Sequence, residues 1–463
     1  MALIKSISGI RGTIGGKPGE TLSPLDVVRF SAAFGTWLIK QSDNKKVIIG
    51  RDGRISGEMV QRLVVSTLNA LGLDVIDVGL STTPTVEMAV TFNQAAGGII
   101  LTASHNPKEW NALKLLNHKG EFISGADGAA VLKIASNDDY IFASVDKLGT
   151  YSFNETALQE HIGAIINYPL VNLDAIKKRK FKVVVDAINS SGAFAVPNLL
   201  KALGVSAKDI IVINSEVNGK FAHNPEPLPQ HLTELCNEVN KHKADIGIAV
   251  DPDVDRLCFV CEDGSMFGEE YTLVAVADYM LSKKAGNTVS NMSSTRALKD
   301  VTERHGGQYH SSAVGEVNVV TQMKAVNAII GGEGNGGVIF PESHYGRDSL
   351  VGIGLFLTHL ANKGIKASEL RASYPAYVIS KNKIELSADL NVDLILATVA
   401  EKYKNEQVNT IDGVKIDFPD RWVHLRKSNT EPIIRIYAEA SSEAEADTLA
   451  QQIIDVIKEI AKA

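Results

Sequence analysis

Apolar runs rich in β-branched residues punctuate the chain, and each stops abruptly in a turn carrying glycine or aspartate. They are KKVIIGRDGR (45–54), GGIILTASHNP (97–107), KFKVVVDAINSSG (180–192), ADIGIAVDPDVDR (244–256) and AVNAIIGGEGNGG (325–337). Short continuous apolar runs suit strands buried on both faces, the pattern of largely parallel sheets. Between them lie segments of helical period, such as 57–72 and 193–204, each closing on a glycine suited to a helix C-terminus. Strand and helix alternating in this way predict an α/β fold with helices layered on the sheets. In open α/β sheets the loops beyond the carboxyl ends of the strands build the ligand site, so chemistry is expected in these polar turns.

A chain of 463 residues exceeds what one hydrophobic core can hold. At roughly 100–200 residues per domain it predicts three or four domains. The last hundred residues read differently: a strand (AYVISKNKIEL), a helix (VDLILATVAEKY), short strands around DGVKIDF and RWVHLRK, another strand (IIRIYAEA) and a helix over 443–461, a separate α+β unit. Divisions are expected near 150, 256 and 370, giving units 1–150, 151–255, 256–370 and 371–463.

Composition excludes several classes. No run approaches the roughly 18 apolar residues of a membrane helix, and the N-terminus lacks a signal-peptide core, so a cytoplasmic protein without a membrane partner is expected. A net charge of −7 with no basic stripe argues against nucleic acid, so an anionic substrate must meet a local basic pocket. Three cysteines, Cys236, Cys258 and Cys261, fit a reducing compartment. Cys258 and Cys261 form a CxxC, but within the strand-like RLCFVCE their offset sends them to opposite faces, which predicts core packing rather than zinc.

DPDVDR (251–256) spaces Asp251, Asp253 and Asp255 at alternate positions directly after IGIAV. In an extended segment all three carboxylates would point one way, an arrangement that makes sense around a hard cation such as Mg²⁺ rather than as a solvated turn. An EF-hand beginning at Asp251 would end on Glu262 but needs glycine where Arg256 stands. An aspartyl-phosphatase site, with Asp251 as nucleophile, is an alternative that leaves TASHNP unexplained. RKSNTEPIIR (426–435) offers guanidinium, hydroxyl and amide donors around a turn, suited to a phosphate dianion, although a plain β-turn with solvated charges would look similar. GGEGNGG (331–337) lets a backbone approach a ligand closely and holds a glutamate able to accept paired sugar hydroxyls. A dinucleotide loop would have to open a helix, and VIFPESHYG does not continue as one. Ser104 in TASHNP is a weak nucleophile unless activated, and no GxSxG elbow is present. A metal loop, a phosphate cradle and a hydroxyl-binding loop together imply phosphoryl transfer on a sugar.

TASHNP (102–107), DPDVDR, GEGNGG (332–337) and RKSNTEP (426–432), in this order and spacing, resemble the α-D-phosphohexomutase family over the whole chain. The resemblance implies a four-domain, heart-shaped molecule, three α/β domains with mixed sheets and a smaller C-terminal α+β domain. Ser104 would carry a phosphoryl group and, with Asp251, Asp253 and Asp255, ligate Mg²⁺. Arg11 and Lys114 would sit by the transferring group, Lys114 as general acid/base with His105 assisting, and Arg256 would support the metal loop. Glu333 and Asn335 would bind sugar hydroxyls, and Arg426, Ser428, Asn429 and Thr430 the non-reacting phosphate.

The implied reaction interconverts hexose 6-phosphate and 1-phosphate through a 1,6-bisphosphate, by a monomer or homodimer. The chain departs from many relatives, which carry His where Gly337 and Glu316 stand; the first contact would be absent or supplied from elsewhere, with His344 a candidate. GEGNGG with DPDVDR is similar to the archaeal-type phosphoglucosamine mutase branch, so glucosamine 6-phosphate is the expected substrate. Alternatives are phosphoglucomutase/phosphomannomutase activity, the aspartyl phosphatase and a non-enzymatic sugar-phosphate binder.

Overall fold

Each of the five apolar runs forms a buried strand, and the strands gather into four sheets in the computed structural model, which describes residues 3–6, 9–385, 391–427 and 433–462. The first sheet contains β1 (Leu3–Ser6), β2 (Gly9–Thr13), β3 (Lys46–Arg51), β4 (Asp74–Leu80), β5 (Gly97–Leu101), β6 (Trp110–Leu116) and β7 (Tyr151–Phe153), ordered β1-β2-β6-β5-β3-β4-β7. β5, β3, β4 and β7 run parallel, and β6, β2 and β1 extend the sheet antiparallel. The second sheet, β8 (Val183–Asp186), β9 (Ile210–Ile213), β10 (Ile246–Val250) and β11 (Leu257–Cys261), is parallel except at β11. The third, β12 (Asn287–Asn291), β13 (Tyr309–Ser312), β14 (Ala328–Glu333) and β15 (Gly337–Ile339), is parallel except at β15. The fourth, β16 (Val378–Glu385), β17 (Gln407–Asn409), β18 (Val414–Asp417), β19 (Trp422–Lys427) and β20 (Ile433–Ala440), is antiparallel throughout.

The architecture is therefore three α/β units with mixed sheets followed by an α+β unit. The chain leaves the first sheet after Phe153 and the second after Cys261, so each sheet takes in a few residues beyond positions 150 and 256. The second and third sheets share one apolar core, in which Phe259 of β11 stacks on Phe356 of the helix Ser349–Lys363 with centroids 3.8 Å apart. The first and fourth units have cores of their own. Cys261 packs in the shared core and Cys258 in a separate cluster with Leu235 and Val239, on opposite sheet faces as the strand alternation requires. Among the described residues no helix is long and apolar enough to cross a membrane.

What places the site is the meeting of strand ends. Asp52 N, just past β3, donates to Leu101 O at the end of β5 (3.2 Å), and Thr83 N donates to Asp253 O in the turn after β10 (2.8 Å). Ser190 Oγ ties two units together, accepting from Gly53 N (2.9 Å) and donating to Pro252 O (2.7 Å). Leu257 N, in turn, donates to Gly336 O in the loop between β14 and β15 (3.0 Å). The loops at 51–54, 102–107, 251–256 and 333–337 thus share one cleft, as expected for the carboxyl ends of strands.

Candidate active site

Ser104 sits in the first turn after β5, buried, with a left-handed backbone (φ +49°). A side chain in that region costs on the order of 1 kcal/mol, so something must hold it there. Arg54 does so. Its buried guanidinium donates to the carbonyls of Ser104 and of Asn106 (2.7 Å), Pro107 (2.8 Å) and Trp110 (2.9 Å), while its Nε donates to Asp52 (3.0 Å). Asp52 is fixed in turn by the Thr102 hydroxyl (2.7 Å). RDGR carries no recognisable motif; its one signal in the sequence is a charged turn at the end of a buried parallel strand.

The Ser104 hydroxyl donates to Asp251 Oδ2 (2.7 Å), 147 positions along the chain. The three aspartates converge, with ligand atoms within 4.8 Å of one another. They do not converge through an extended strand, as expected above: β10 ends at Val250 and the chain turns at once, with Val254 at φ +62°. Asp251 Oδ1 accepts from the N–H groups of Asp255 and Arg256 (both 3.1 Å), so the carboxylate organises its own loop. Asp253 Oδ2 accepts from Thr83 Oγ1 (2.6 Å) and Lys114 Nζ (2.8 Å), and Asp255 Oδ2 lies 3.5 Å from Lys114 Nζ.

Burial, then the neighbouring Asp255 and Asp253, pushes the Asp251 carboxyl well above its ordinary range. For Asp253 burial acts the same way, but the Lys114 ammonium, together with hydrogen bonds from Thr83 and Asp251, outweighs it and holds the carboxyl low. Burial also opposes the charge on Lys114, and the carboxylates of Asp253 and Asp255 overcome it, raising the ammonium above the usual lysine range. His105 Nδ1 lies 3.4 Å from Ser104 Oγ; burial, Arg256 and Arg347 depress its pKa well below normal and keep the ring neutral.

A divalent cation fits these residues. Asp253 Oδ1 and Asp255 Oδ1 are buried without a hydrogen-bond partner, and the donors are all hard oxygens. On the other side of Ser104 a cavity of about 50 Å³ is lined by Arg11, Thr102, His105 and Lys114. Arg11 Nε there is buried and unbonded. Arg256 extends from the metal loop to Glu226 (2.7 Å), and its Nε is likewise unbonded. Unpaired guanidinium N–H groups around a buried serine are what a phosphoryl group would satisfy.

Glu333 closes the opposite side. Its Oε1 accepts from Asn291 Nδ2 (2.8 Å) and Gly315 N (3.1 Å), and its Oε2 from Arg347 Nη1 (2.8 Å) and, more weakly, Asn335 Nδ2 (3.4 Å). His344 does not reach the sugar loop: its ring nitrogens face Glu87 (3.2 Å) and Asp348 (3.3 Å). The space beside Gly337 belongs to Arg347, which sequence reasoning missed. In the fourth unit Arg426 pairs with Asp412 (3.1 Å), and Asp412 Oδ2 accepts from Val314 N (2.9 Å), joining that unit to the third. Ser428, Asn429 and Thr430 lie outside the described residues.

Four mixed or antiparallel sheets around a buried serine, an aspartate triplet and a ring of cations define a sugar-phosphate phosphotransferase. Models of the phosphoglucomutase/phosphomannomutase α/β/α domains I, II and III match residues 3–141, 159–264 and 268–377, and that of the C-terminal domain matches 383–456. The chain belongs to the phosphoglucomutase/phosphomannomutase family. It is 36% identical to a phosphoglucomutase/phosphomannomutase of Thermococcus kodakarensis over 97% of this chain and 99% of that one. It is 31% identical to a phosphoglucosamine/phosphogalactosamine mutase of Sulfurisphaera tokodaii over 99% and 100%. A crystal structure of a family protein from Burkholderia thailandensis superposes with a TM-score of 0.85 at 27% identity, covering 100% of this chain and 98% of that one. The protein is thus a hexose-phosphate mutase, an isomerase working by phosphoryl transfer, and the aspartyl-phosphatase reading of DPDVD gives way to it.

Proposed function

We propose that the chain interconverts glucosamine 6-phosphate and glucosamine 1-phosphate through a phosphoserine at Ser104 and a 1,6-bisphosphate. Glucose and mannose phosphates are the alternative substrates. The observation that carries the mechanism is the Ser104 hydroxyl held 2.7 Å from Asp251 inside a cluster of carboxylates and cations. The substrate reading is supported by the loop resemblance and by the relative named for glucosamine and galactosamine phosphates. The relative named for glucose and mannose phosphates keeps the alternative open.

Asp251, Asp253 and Asp255, with an oxygen of the Ser104 phosphoryl group, would hold Mg²⁺. Bound there, the ion would neutralise charge on the transferring phosphoryl oxygens. The residues themselves do the remainder. The hexose 1-hydroxyl attacks phosphorus, the bond from phosphorus to Ser104 Oγ breaks, and a bond from phosphorus to the sugar oxygen forms. Lys114, kept protonated by Asp253 and Asp255, supplies a proton to the departing Oγ. The sugar hydroxyl gives up its proton to a neutral base, a role His105 would take, since it stays neutral and lies 3.4 Å from Ser104 Oγ. Arg11 and Arg256 spread the phosphoryl charge. The bisphosphate then reverses, the cradle around Arg426, Ser428, Asn429 and Thr430 grips the other phosphate, and transfer back to Ser104 frees the 1-phosphate. Free thiols at Cys236, Cys258 and Cys261 fit a cytoplasmic setting.

Ser104→Ala should abolish turnover and remove the phosphoryl mass that intact-protein and peptide mass spectrometry find on the wild type after incubation with a hexose 1,6-bisphosphate. Retained turnover in that variant would refute the seryl-carrier mechanism. Coupled assays with each hexose 6-phosphate decide the substrate, and equal rates on glucose and glucosamine phosphates would sink the glucosamine assignment.

A further inference from the structure

Arg347 leads into the helix Ser349–Lys363, and its guanidinium meets carboxylates from three distant segments. Nη2 lies 2.7 Å from Asp255 Oδ2 in the metal loop, Nη1 2.8 Å from Glu333 Oε2 in the sugar loop, and Nε 3.0 Å from Glu316 Oε2. Its backbone N–H also donates to Glu316 Oε1 (3.2 Å), so one acidic side chain fixes both ends of the residue. The next residue is pinned as firmly. Asp348 Oδ1 accepts from Leu350 N (2.8 Å) and Val351 N (3.2 Å) at the helix start, and its Oδ2 faces His161 (2.9 Å) and His344 (3.3 Å). Room for the side chain comes from Gly337: a Cβ there would lie 2.3 Å from Arg347 Cδ.

We infer that Arg347 is a positioning residue for the mutase reaction, locking Glu333 of the sugar loop to Asp255 of the metal loop so that sugar and phosphoryl group meet in register. The inference rests on the reading of Glu333 as the acceptor of sugar hydroxyls and of Asp255 as a metal ligand. Each guanidinium nitrogen of Arg347 is already bonded to a carboxylate, so the residue acts through Glu333 and Asp255. Its two properties separate experimentally. The planar fork holds Glu333 and Asp255 at once, which an ammonium on a flexible stem cannot do. The single positive charge beside Asp255 competes with any cation bound to the triplet.

Affinity for glucosamine 6-phosphate, measured by calorimetry, and affinity for Mn²⁺, measured by electron paramagnetic resonance, are the readouts, taken on the full-length protein. In Arg347→Lys, which keeps the charge and loses the fork, sugar-phosphate affinity should fall about ten-fold or more, with Mn²⁺ affinity unchanged. In Arg347→Gln, which loses both, sugar-phosphate affinity should fall similarly while Mn²⁺ binds about three-fold tighter or more. Gly337→Ala, which displaces Arg347 without removing charge, should behave like Arg347→Lys and serves if the Lys variant does not fold. A merely structural arginine would weaken both ligands together in step with lost thermal stability, and that outcome overturns the inference. So does Arg347→Lys binding the sugar phosphate as the wild type does. Glu333→Gln separates the parent reading: unaltered sugar affinity there removes the sugar-loop role itself. Weakened affinity in Glu333→Gln alongside a normal Arg347→Lys removes only the role of Arg347.

Discussion

Arg54→Lys is the substitution that most directly tests how the serine loop is built. The guanidinium of Arg54 uses all its N–H donors, on the carbonyls of Ser104, Asn106, Pro107 and Trp110 and on Asp52. A lysine ammonium keeps the charge for Asp52 but has too few donors, leaving about two carbonyls bare. A buried polar group stripped of its partner costs about 1–3 kcal/mol, so the variant should lose about 2–6 kcal/mol. That is a large share of the 5–15 kcal/mol typical of a folded domain, yet small enough for the protein to be purified. Urea unfolding measures the loss. The rate of phosphoryl incorporation at Ser104 from a hexose 1,6-bisphosphate, followed by intact mass, measures the consequence for function. With the turn from Ser104 to Trp110 no longer clamped, the left-handed serine should relax and the rate should fall about ten-fold or more. Arg54→Met should be worse still, because Asp52 is then buried without its cation, and adding Asp52→Asn should recover part of the stability. If Arg54→Lys unfolds within about 1 kcal/mol of the wild type and is phosphorylated at the wild-type rate, the guanidinium is not what shapes the loop.

Mg²⁺ should raise the thermal unfolding midpoint at neutral pH, by about 2.7 kcal/mol of stability at a hundred times Kd, and calorimetric scans of Asp253→Asn should show little or none of this effect. Burial disfavours a charge on His344, yet its contacts with Asp348 and Glu87 hold its pKa up at about 10, against about 6.5 for an ordinary histidine. A pKa raised on folding gives stability that is complete below about pH 6.5 and lost as pH climbs through about 10. Burial also raises the Glu87 carboxyl, against the pull of His344 beside it, and a carboxyl raised on folding likewise gives stability that is lost as pH climbs. Unfolding midpoints of the wild type should therefore decline from neutral to alkaline pH, and His344→Gln should flatten that decline; an unchanged slope would refute the assignment of this buried cluster.

Local information carried much of the site. Runs such as VIIG and IGIAV read as buried strands because their apolar residues are contiguous, and the polar turns after them could be placed at strand ends without knowing which strands pair. TASHNP and DPDVDR were legible for the same reason, since each puts its chemistry within a few residues. The manner in which the aspartates converge was not legible. An extended reading of DPDVDR brings the carboxylates together by alternation, whereas the chain turns and the N–H groups of Asp255 and Arg256 fold back onto Asp251. His344, next to the sugar loop in sequence, faces Glu87 and Asp348 instead.

Sequence alone determined the α/β character, the separate C-terminal unit, the serine and the aspartate triplet, because short-range periodicity and composition set which segments must be buried and which turns remain polar. Tertiary structure decided that Arg54 grips the serine loop from 50 positions away, that Lys114 is held protonated by Asp253 and Asp255, and that Arg347 fills the space beside Gly337. Arg54 acts within the first unit, whereas Lys114 reaches Asp253 and Asp255, and Arg347 reaches Asp255, across domain boundaries. A lone arginine in a sequence has no period and no spacing to reveal its partner. Only the low-dielectric interior, where every charge must find an opposite one, makes the pairing specific.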